Sequence, residues 1–413
     1  MESVKLGILG MGTVASGLIN LNKQFTISKV LVKDLSKKRN VNLPIEAYTT
    51  DAYEVIDNKD INIVVELIGG LNPAYEYVKA ALSNKKHVVT ANKALIATYG
   101  EELEDLAFKN GVKLMYEASV GGGIPIINTI RENLSANDFE QITGINNGTT
   151  NFILTQMAEN GLEYESAVKE AQKLGFAESD PSSDVNGDDA AYKIAILSNI
   201  AFGQRVNIKD IFKEGITKIS KEDISYAKKL GYNIKLLASA SKSKDEIEIR
   251  VNPSFIPVNH PLSTVKNEFN AVLLKGNAIG EIMLYGKGAG SLPTGSAVLN
   301  DIISIVKNQR NIKIEDNSSL IKFKIVNRAY KKHYIRFEVI DKPGVLARMA
   351  NVFGKYNVSI DSVVQRQRNG NNTAPLVFIT HNVERNYINE ALKEIKDFDC
   401  VVEVASIIMV EDF

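Results

Sequence analysis

The chain has 413 residues, more than the roughly 250 to 300 at which a single hydrophobic core stops growing, so we expect two or three domains. Hydrophobic residues make up 44% and charged residues 24% of the chain, which is typical of soluble globular proteins and excludes a disordered or collagen-like chain. The 49 basic residues balance the 49 acidic ones, so no global positive field attracts nucleic acid or anionic membranes.

The cysteine content and the apolar runs indicate the compartment. Cys400 is the only cysteine, so an internal disulfide is excluded. The first residues, MESVKLGILG, lack the pattern of a signal peptide. The longest apolar runs, such as INIVVELIGG, are shorter than the roughly 20 residues of a membrane span. We therefore predict a cytoplasmic protein without a membrane or nucleic-acid partner.

Short apolar runs alternate with helical stretches in the first part of the chain. The first run, VKLGIL, ends in glycines and is followed by a predicted helix, TVASGLINLNKQ. Because such alternation produces a mostly parallel sheet, we predict an α/β fold with a Rossmann-like, doubly wound dinucleotide-binding domain at residues 1–130. Its further strands are predicted at residues 27–32, 61–68, 87–90 and 112–116.

Residues 131–315 have a different pattern, typical of an α+β domain, which we predict to be the substrate-binding, catalytic and dimerisation domain. Strands with antiparallel character include EIEIRVNPSFIPV and a hairpin that turns at Gly276 and Asn277. Helices are predicted at residues 164–174, 188–202 and 294–309, with Thr294 as the N-cap of the last one. That helix can pack back on the first domain, which the sequence alone does not decide.

The C-terminal part has its own fold signature. A polar, basic stretch at residues 316–332 is predicted to be a linker. Residues 333–413 then follow the order β-α-β-β-α-β, which is the ferredoxin-like split unit.

The segment GILGMGTVASG resembles a dinucleotide-binding turn. Gly10 and Gly12 occupy the first two glycine positions, which allow a tight turn and bring pyrophosphate to a helix N-terminus, and Ala15 takes the third. The alternative is a plain strand-to-helix turn. After the second strand, Asp34 suits a ribose 2′-hydroxyl, whereas Lys33 and its basic neighbours suit a 2′-phosphate. We favour NADP, with NAD as the alternative; the other basic residues are Lys37, Lys38 and Arg39.

Three later segments contain further candidate site residues. Thr90, Asn92 and Lys93 follow the strand at residues 87–90, at the sheet edge where ligands bind. Glu117 precedes three glycines, a pattern that fits either a site for a hard cation or a hinge between domains. The densest cluster lies at residues 171–197, where a lysine beside carboxylates can transfer a proton, although the same pair also occurs on ordinary exposed helices. Its charged residues include Glu178, Asp184, Asp189 and Lys193.

Together these segments resemble the homoserine dehydrogenase family with a C-terminal ACT domain. The glycine turn is followed, in the order of that family, by VTANKALIA, EASVGGGIPII, NNGTTNFIL, GFAESDPSSDVNGDDAAYK and GAGSLPTGSA. The resemblance implies NAD(P)H-dependent interconversion of L-aspartate 4-semialdehyde and L-homoserine, a step in threonine, methionine and isoleucine biosynthesis.

The resemblance also implies roles for individual residues. Lys193 matches the catalytic lysine, and Lys93 matches a residue near both cofactor and substrate. Glu178 and Asp189 match substrate-binding acids, with Asp184 as a further member, and Thr13, Val14, Gly175 and Gly290 match cofactor contacts. The glycine turn, the basic cluster and the end of the strand at residues 87–90 add further cofactor-binding candidates, which are Gly10, Gly12, Lys33, Arg39, Thr90 and Asn92. A structural sodium ion is implied at Glu117 and at the backbone carbonyls of Val120, Gly122 and Ile124.

The C-terminal segment IDKPGVLARMANVF resembles the ACT signature. Asp341, Pro343 and Gly344 match the loop that meets an amino-acid effector between paired domains, and threonine is the first effector to test. An ACT domain that serves only oligomerisation is the alternative. We expect a homodimer or a homotetramer.

Two rival functions remain at this stage. One is a metabolite sensor that binds nucleotide and amino acid without chemistry, and the other is a different amino-acid dehydrogenase on the same scaffold. A sensor has no need of Lys193 together with Glu178 and Asp189, and another dehydrogenase is expected to lack the segment that contains them. The sequence therefore favours a homoserine dehydrogenase.

Overall fold

The N-terminal part is built on one parallel sheet. The computed structural model describes residues 4–307, 323–326, 330–365 and 372–413. The six strands are Lys5–Leu9 (β1), Thr26–Leu31 (β2), Tyr48–Thr49 (β3), Ile63–Glu66 (β4), His87–Thr90 (β5) and Leu114–Met115 (β6). They lie in the order β3-β2-β1-β4-β5-β6, and every neighbouring pair is parallel. The main helices between them are Thr13–Leu21 (α1), Tyr53–Ile56 (α2), Ala74–Ser83 (α3) and Lys93–Lys109 (α4).

The central strands of this sheet are covered on both faces. All four residues of β4 are buried, as are the last four of β1 and the last three of β5. Strands that are buried on both faces have continuous apolar runs rather than alternation. This is why the sequences IVVE of β4 and HVVT of β5 could be recognised as strands. The predicted Rossmann-like, doubly wound sheet is confirmed.

The middle of the chain forms an antiparallel sheet flanked by helices. Its strands are Phe139–Ile145 (β7), Phe212–Lys213 (β8), Tyr232–Ser243 (β9), Glu246–Pro257 (β10), Phe269–Gly276 (β11) and Gly280–Lys287 (β12). The central order is β12-β11-β7-β9-β10, and these neighbours are antiparallel. The helices are Ile126–Asn128 (α5), Gly148–Asn160 (α6), Tyr164–Lys173 (α7), Ser182–Val185 (α8), Asp188–Phe202 (α9), Lys221–Lys229 (α10) and Ser291–Lys307 (α11).

Helix α11 returns to the N-terminal sheet and packs on α1. At their crossing, a Cβ added to Gly17 would lie 1.9 Å from the Ser291 carbonyl oxygen, and one added to Gly295 would lie 2.6 Å from the Leu18 nitrogen. The two glycines therefore allow a backbone approach that no larger residue permits. Val298 and Ile302 of α11 are fully buried in the same core as β1 and α1.

The C-terminal part has the predicted β-α-β-β-α-β order. Its two helices are Val345–Lys355 (α12) and Arg385–Lys396 (α13), and its strands are Lys324–Val326 (β13), Tyr330–Ile340 (β14), Ile360–Gln365 (β15), Thr373–Thr380 (β16), Val383–Glu384 (β17) and Val401–Val410 (β18). Its sheet joins the middle sheet, because Met409 and Val410 of β18 pair in parallel with Ser254 and Phe255 of β10. The C-terminal unit is thus hydrogen-bonded to the middle sheet.

Two buried ion pairs reinforce this junction. Arg336 of β14 donates to Asp223 of α10 at 2.8 Å, and Arg250 of β10 donates to Glu411 at 2.6 Å. Burial would raise the pKa of Glu411, but Arg250 and Lys331 overcome that effect and lower it to about 2. Removing one partner of such a pair strands a charge, so these contacts hold the C-terminal unit against the middle sheet.

Some local predictions differ from the structure. The strands predicted at 61–68 and 112–116 shorten to β4 and β6, and α6, which the sequence analysis did not identify as a helix, follows β7. Thr294 as an N-cap is wrong, because α11 begins at Ser291 and Thr294 lies buried within it. The predicted linker at 316–332 falls largely outside the described residues; within it, β13 pairs with β10.

In the part of the chain that the structure describes, no helix has the length and apolarity needed to cross a membrane.

Candidate active site

Helix α9 carries the two charged side chains at the centre of the candidate site. Asp189 and Lys193 lie four residues apart on this helix, so they share one face. They are only 3% and 8% exposed, which excludes the ordinary exposed pair that the spacing alone allowed. The helix follows Gly187, whose positive φ of 85° favours glycine, and this turn sets where Asp189 begins the helix.

Asp189 joins two lysines from two different parts of the fold. Its Oδ2 accepts a hydrogen bond of 2.7 Å from Lys193, and its Oδ1 pairs at 2.6 Å with Lys93, the first residue of α4. Lys193 also donates to the backbone carbonyl of Asn146 at 2.7 Å. The Asp189 carboxylate therefore connects the start of α4 in the N-terminal part with α9 in the middle part.

This arrangement keeps Asp189 and Lys93 charged. Burial would raise the pKa of Asp189, but the ammonium groups of Lys193 and Lys93 overcome this and hold it below its usual range. Burial opposes the charge of Lys93, yet Asp189 raises the pKa of Lys93 above its usual value, with smaller contributions from Asp184 and Glu178. An ionised carboxylate between two lysines is thus the resting state at neutral pH.

Asn147 connects the second acid of the site to the first. Its Nδ2 donates to Asp184 Oδ1 at 2.7 Å and to Asp189 Oδ2 at 2.8 Å, while its Oδ1 caps α6 by accepting from the Thr150 nitrogen. Burial and the nearby charge of Asp189 raise the pKa of Asp184. A neutral amide therefore holds two carboxylates side by side, a place that attracts a cationic group.

Glu178 lies at the rim of this cluster. It follows α7 on an exposed loop, and its backbone carbonyl accepts from Gln172 at 3.1 Å. The side chain is exposed to solvent, but its charge reaches Lys93. The charges of Glu178, Asp184 and Asp189 all act on the Lys93 ammonium, so these three acids lie in one region of the structure.

The glycine turn after β1 leaves the start of α1 open. Gly10 has a φ of 101°, and a Cβ there would lie 2.9 Å from the Leu67 carbonyl oxygen, whereas nothing lies within 4 Å of a Cβ on Gly12. Helix α1 has no side-chain cap and no acidic residue in its first turn, so its first N–H groups can bind an anion. Thr13 and Val14 begin this turn, with Thr13 exposed. These features fit the pyrophosphate of a dinucleotide.

The loop that follows β2 carries the predicted basic residues. Lys33 is exposed, and Arg39 donates to the carbonyl oxygens of Lys37 and Asp34 at 2.6 Å. The Asp34 carboxylate accepts from the nitrogen and the hydroxyl of Ser36, and these hydrogen bonds lower its pKa. Because Asp34 is used within its own turn, the loop presents more positive than negative charge to a ligand.

Thr90 and Asn92 organise the end of β5 through their side chains. Thr90 Oγ1 donates to Glu66 at 2.6 Å, and Asn92 caps α4 by accepting from the Leu95 nitrogen. Contact with a cofactor would therefore come from their backbone. Gly290 immediately precedes Ser291, whose hydroxyl donates to the Thr13 carbonyl oxygen, so Gly290 lies beside the glycine turn. Gly175 has a φ of 79° and lies three residues before Glu178.

The predicted cation site contains two buried carboxyl groups. Glu117 accepts backbone hydrogen bonds from Ile127 and Asn128 at 2.8 and 2.7 Å, and Asp301 accepts one from the Glu117 nitrogen at 2.9 Å. Burial raises the pKa of both, that of Asp301 to about 7. The other oxygen of Asp301 is buried without a hydrogen-bond partner. Two neighbouring acids with an unsatisfied oxygen fit a bound cation.

The three glycines after Glu117 form a close-packed turn. A Cβ on Gly122 would lie 2.4 Å from the Gly288 carbonyl oxygen, so the turn packs directly on the strand end before α11. Val120 and Ile124 are buried, and the Ile124 carbonyl accepts from the Ile126 nitrogen at 2.8 Å. Within the described residues, no group of three or more acidic, histidine or cysteine side chains is placed to hold a metal ion.

The predicted effector loop lies at the start of α12. Gly344 has a φ of 89° and precedes the helix, while Pro343 is exposed. The Asp341 nitrogen donates to the Asn372 carbonyl at 3.0 Å, and its carboxylate accepts from Gln365 at 3.4 Å. The loop is therefore open to solvent at the end of β14.

Sequence reasoning did not identify three groups that build the site. Asn146 and Asn147 were quoted only within a motif, although adjacent asparagines before a helix are a recognisable capping signal. Glu66, fully buried at the end of β4, orients Thr90 and also accepts from the Ile68 nitrogen at 2.7 Å. No sequence signal indicates Asp301, because it reaches Glu117 from 184 residues away.

The whole chain is similar to characterised families and structures. Residues 125–303 match the family model for homoserine dehydrogenase, residues 10–117 that for the homoserine dehydrogenase NAD binding domain, and residues 333–400 that for the ACT domain. A homoserine dehydrogenase from Bacillus subtilis is 43% identical, with 100% of this chain and 99% of the relative covered.

Solved structures show the same correspondence. A homoserine dehydrogenase from Thiobacillus denitrificans superposes with a TM-score of 0.91 at 38% identity, covering 100% of this chain and 99% of that one. A hyperthermophilic archaeal homoserine dehydrogenase in complex with NADPH superposes with a TM-score of 0.65 at 30% identity, covering 75% of this chain and 100% of that one. The first of these similarities spans all three parts of the chain.

Proposed function

Because the chain belongs to the homoserine dehydrogenase family, we propose that it reversibly converts L-aspartate 4-semialdehyde to L-homoserine through the residues described above. Family membership makes it an oxidoreductase with a nicotinamide cofactor, a small-molecule substrate and an ACT domain. The observation that carries the proposed residue roles is the pairing of Asp189 with both Lys193 and Lys93.

Lys193 is the proposed proton donor. When bound, the reduced cofactor supplies a hydride to the aldehyde carbon. The Lys193 ammonium then gives a proton to the aldehyde oxygen, and in the oxidative direction the neutral amine takes the hydroxyl proton back. Asp189 and the Asn146 carbonyl hold the Lys193 nitrogen in one place, since both accept its hydrogen bonds at 2.7 Å. Lys93 completes the pairing from the cofactor side.

Glu178, Asp184 and Asp189 are the proposed substrate-binding acids. The substrate carries an ammonium group, to which carboxylates supply the complementary charge. Asp189 is already neutralised by two lysines, so Glu178 and Asp184 are the acids with charge left for a substrate.

We predict that Glu178→Gln raises the KM for homoserine about tenfold or more, because a hydrogen bond to a charged group contributes about 1.5–3 kcal/mol. The kcat should change much less, since Lys193 is untouched. Steady-state kinetics against homoserine measure both. Glu165→Gln on α7 is the matched exposed control and should behave as wild type. An unchanged KM for Glu178→Gln would argue against its contact with substrate.

NADP is the proposed cofactor, with NAD as the alternative. The exposed Lys33 and the guanidinium of Arg39 would bind a 2′-phosphate, and Asp34 is held within its own turn by Ser36. A similar structure with bound NADPH supports this choice. The glycine turn at Gly10 and Gly12 would accept the pyrophosphate, flanked by Gly290.

A sodium ion is the proposed structural cation. It would bind Glu117 and the carbonyls of Val120, Gly122 and Ile124, a set of oxygen ligands that suits a hard cation. The Asp301 oxygen that lacks a hydrogen-bond partner supports a bound cation at this point. The ion would stiffen the junction between the two sheets.

The ACT domain is the proposed regulatory part. Asp341, Pro343 and Gly344 would meet an amino-acid effector, with threonine as the first candidate. We further propose a cytoplasmic homodimer or homotetramer. In this proposal residues 1–130 bind the cofactor, residues 131–315 bind substrate and form the dimer, and residues 333–413 regulate the activity.

The test is a direct assay of the purified protein. L-homoserine is mixed with NADP or NAD at alkaline pH, and the absorbance of the reduced nicotinamide is followed, in sodium or choline chloride and with or without L-threonine. We expect turnover that is faster with NADP. L-2-aminobutyrate, which lacks the hydroxyl group, is the matched control and should give none. A folded protein that binds NADP(H) yet turns over neither cofactor would contradict the proposal.

A further inference from the structure

An ion pair between the C-terminal unit and the middle sheet lies next to the substrate-binding residues. Arg385, the first residue of α13, donates to Glu214 at 3.0 Å. We propose that Arg385 and Glu214 are positioning residues through which the C-terminal unit sets the shape of the turn between Asp184 and Asp189. This inference rests on the proposed substrate-binding role of those acids.

Glu214 belongs to a short segment that is fixed on one side to β10. Phe212 and Lys213 form β8, which pairs in parallel with β10, and the Glu214 nitrogen donates to the Val251 carbonyl at 2.8 Å. The guanidinium of Arg385 also lies 5.7 Å from the centre of the Phe212 ring. Arg385 therefore contacts the segment at two points, one ionic and one aromatic.

On its other side, the same segment packs directly against the turn between α8 and α9. The Ile216 nitrogen donates to the Val185 carbonyl at 2.8 Å. A Cβ on Gly215 would lie 2.1 Å from that carbonyl oxygen, so the two backbones are in contact with no space between them. Lys213 forms an ion pair with Asp188. Any displacement of residues 212–216 therefore reaches residues 185–188.

That turn determines where two acids of the site point. Asp184 lies in α8, immediately before Val185, and Asp189 follows Asp188 at the start of α9. Gly187 between them lies close against the middle sheet, because an added Cβ would lie 3.1 Å from the Val251 side chain. Binding sites need their groups held to about half an ångström, so a small shift of this turn changes how the acids meet the substrate ammonium.

The pair is suited to positioning because it does not hold the domains together. The side chains of Arg385 and Glu214 are 16% and 41% exposed, which limits their contribution to stability. The buried pairs Arg336–Asp223 and Arg250–Glu411 and the pairing of β10 with β18 remain in place without it. Loss of the pair should thus loosen the segment without detaching the C-terminal unit.

The test compares single, double and control variants in the full-length enzyme. We expect Glu214→Gln and Arg385→Gln each to raise the KM for homoserine about three- to tenfold, with the KM for the cofactor unchanged. The double variant should be no worse than either single one, because both remove the same contact. Arg385→Lys, which keeps the charge, should recover much of the effect. Arg348→Gln, in the exposed pair with Asp399, is the control and should leave the KM unchanged.

Amide hydrogen exchange gives a second measure that does not need turnover. Residues 182–188 should exchange faster in Glu214→Gln than in wild type, while α12 keeps its protection. An unchanged KM and unchanged exchange in both single variants would overturn the inference, as would effects that simply multiply in the double variant. If wild type itself does not oxidise homoserine, the proposed function fails, and exchange at 182–188 still decides whether the pair positions the turn.

Discussion

Lys193→Met is expected to lose about 10²–10⁴-fold in kcat while binding NADP(H) with unchanged affinity. Lys193 is 8% exposed, so methionine can fill the space of its aliphatic stem and keep the packing of α9. What disappears is the ammonium group that Asp189 and the Asn146 carbonyl hold at 2.7 Å. Homoserine oxidation measures the kcat, and fluorescence of bound NADPH measures cofactor affinity.

The control for this variant is Lys169→Met, an exposed lysine on the neighbouring α7, which should keep wild-type kinetics. A further check is the direction of the reaction, since the same nitrogen serves as acid and base. Reduction of the semialdehyde should fall by a similar factor. If the Lys193→Met enzyme turned over at the wild-type rate in either direction, another group would have to transfer the proton.

The fold class was predictable because apolar runs report burial directly. The completely buried β4 begins with the apolar run Ile-Val-Val, and α9 has the bounds that its capping turn and apolar stripe predict. The C-terminal β-α-β-β-α-β order was equally clear from alternation and from Pro343 at a helix start. Elements with strong local patterns were found, whereas α6 was missed because its hydrophobic residues are spread around the helix.

Only part of the candidate active site could be predicted from the sequence. Four-residue spacing places Asp189 and Lys193 on one face of a helix, but it cannot show that both are buried. Nor does any local pattern indicate that Lys93, nearly a hundred positions earlier, reaches the other oxygen of Asp189. That contact depends on the packing of α4 on α9 across two sheets. The family resemblance implies that Lys93 lies near cofactor and substrate, but it does not predict this contact.

Contacts between distant segments were also beyond local reasoning. Gly17 and Gly295 have no pattern that identifies them as partners, yet each would clash with the opposite backbone if it had a Cβ. The pair Arg385–Glu214 joins residues 171 positions apart, and both are ordinary surface residue types. Such contacts are set by tertiary packing, which a single sequence does not encode in a short window.

Asp189 contacts more of the candidate site residues than Lys193 or Glu178 does. It balances two lysines, accepts from Asn147, and stands at the end of the turn that Glu214 supports through residues 212–216. The proposed proton transfer, the proposed substrate binding and the proposed influence of the C-terminal unit therefore all involve this carboxylate. Its removal should affect stability and turnover together, unlike that of Lys193 or Glu178.

Asp189→Asn is expected to destabilise the protein by about 3 kcal/mol and to lower kcat by about 100-fold or more. An amide cannot neutralise two ammonium groups, so the buried Lys193 is left with uncompensated charge. The cost falls at the low end of the usual range because the Lys93 side chain is 41% exposed and can turn to water. Urea unfolding measures the stability, and homoserine oxidation measures the kcat.

The stability loss should depend on pH in a defined direction. Two lysines hold the pKa of Asp189 below its usual value in the folded state, so its contribution is complete above the unfolded pKa of about 3.9 and is lost as the pH falls towards the folded value. Wild type and Asp189→Asn should therefore differ fully at pH 7 and converge below about pH 4. Asp105→Asn on the exposed face of α4 is the control and should match wild type at both pH values. Equal stability of Asp189→Asn and wild type at pH 7 would show that the two lysines do not depend on this carboxylate.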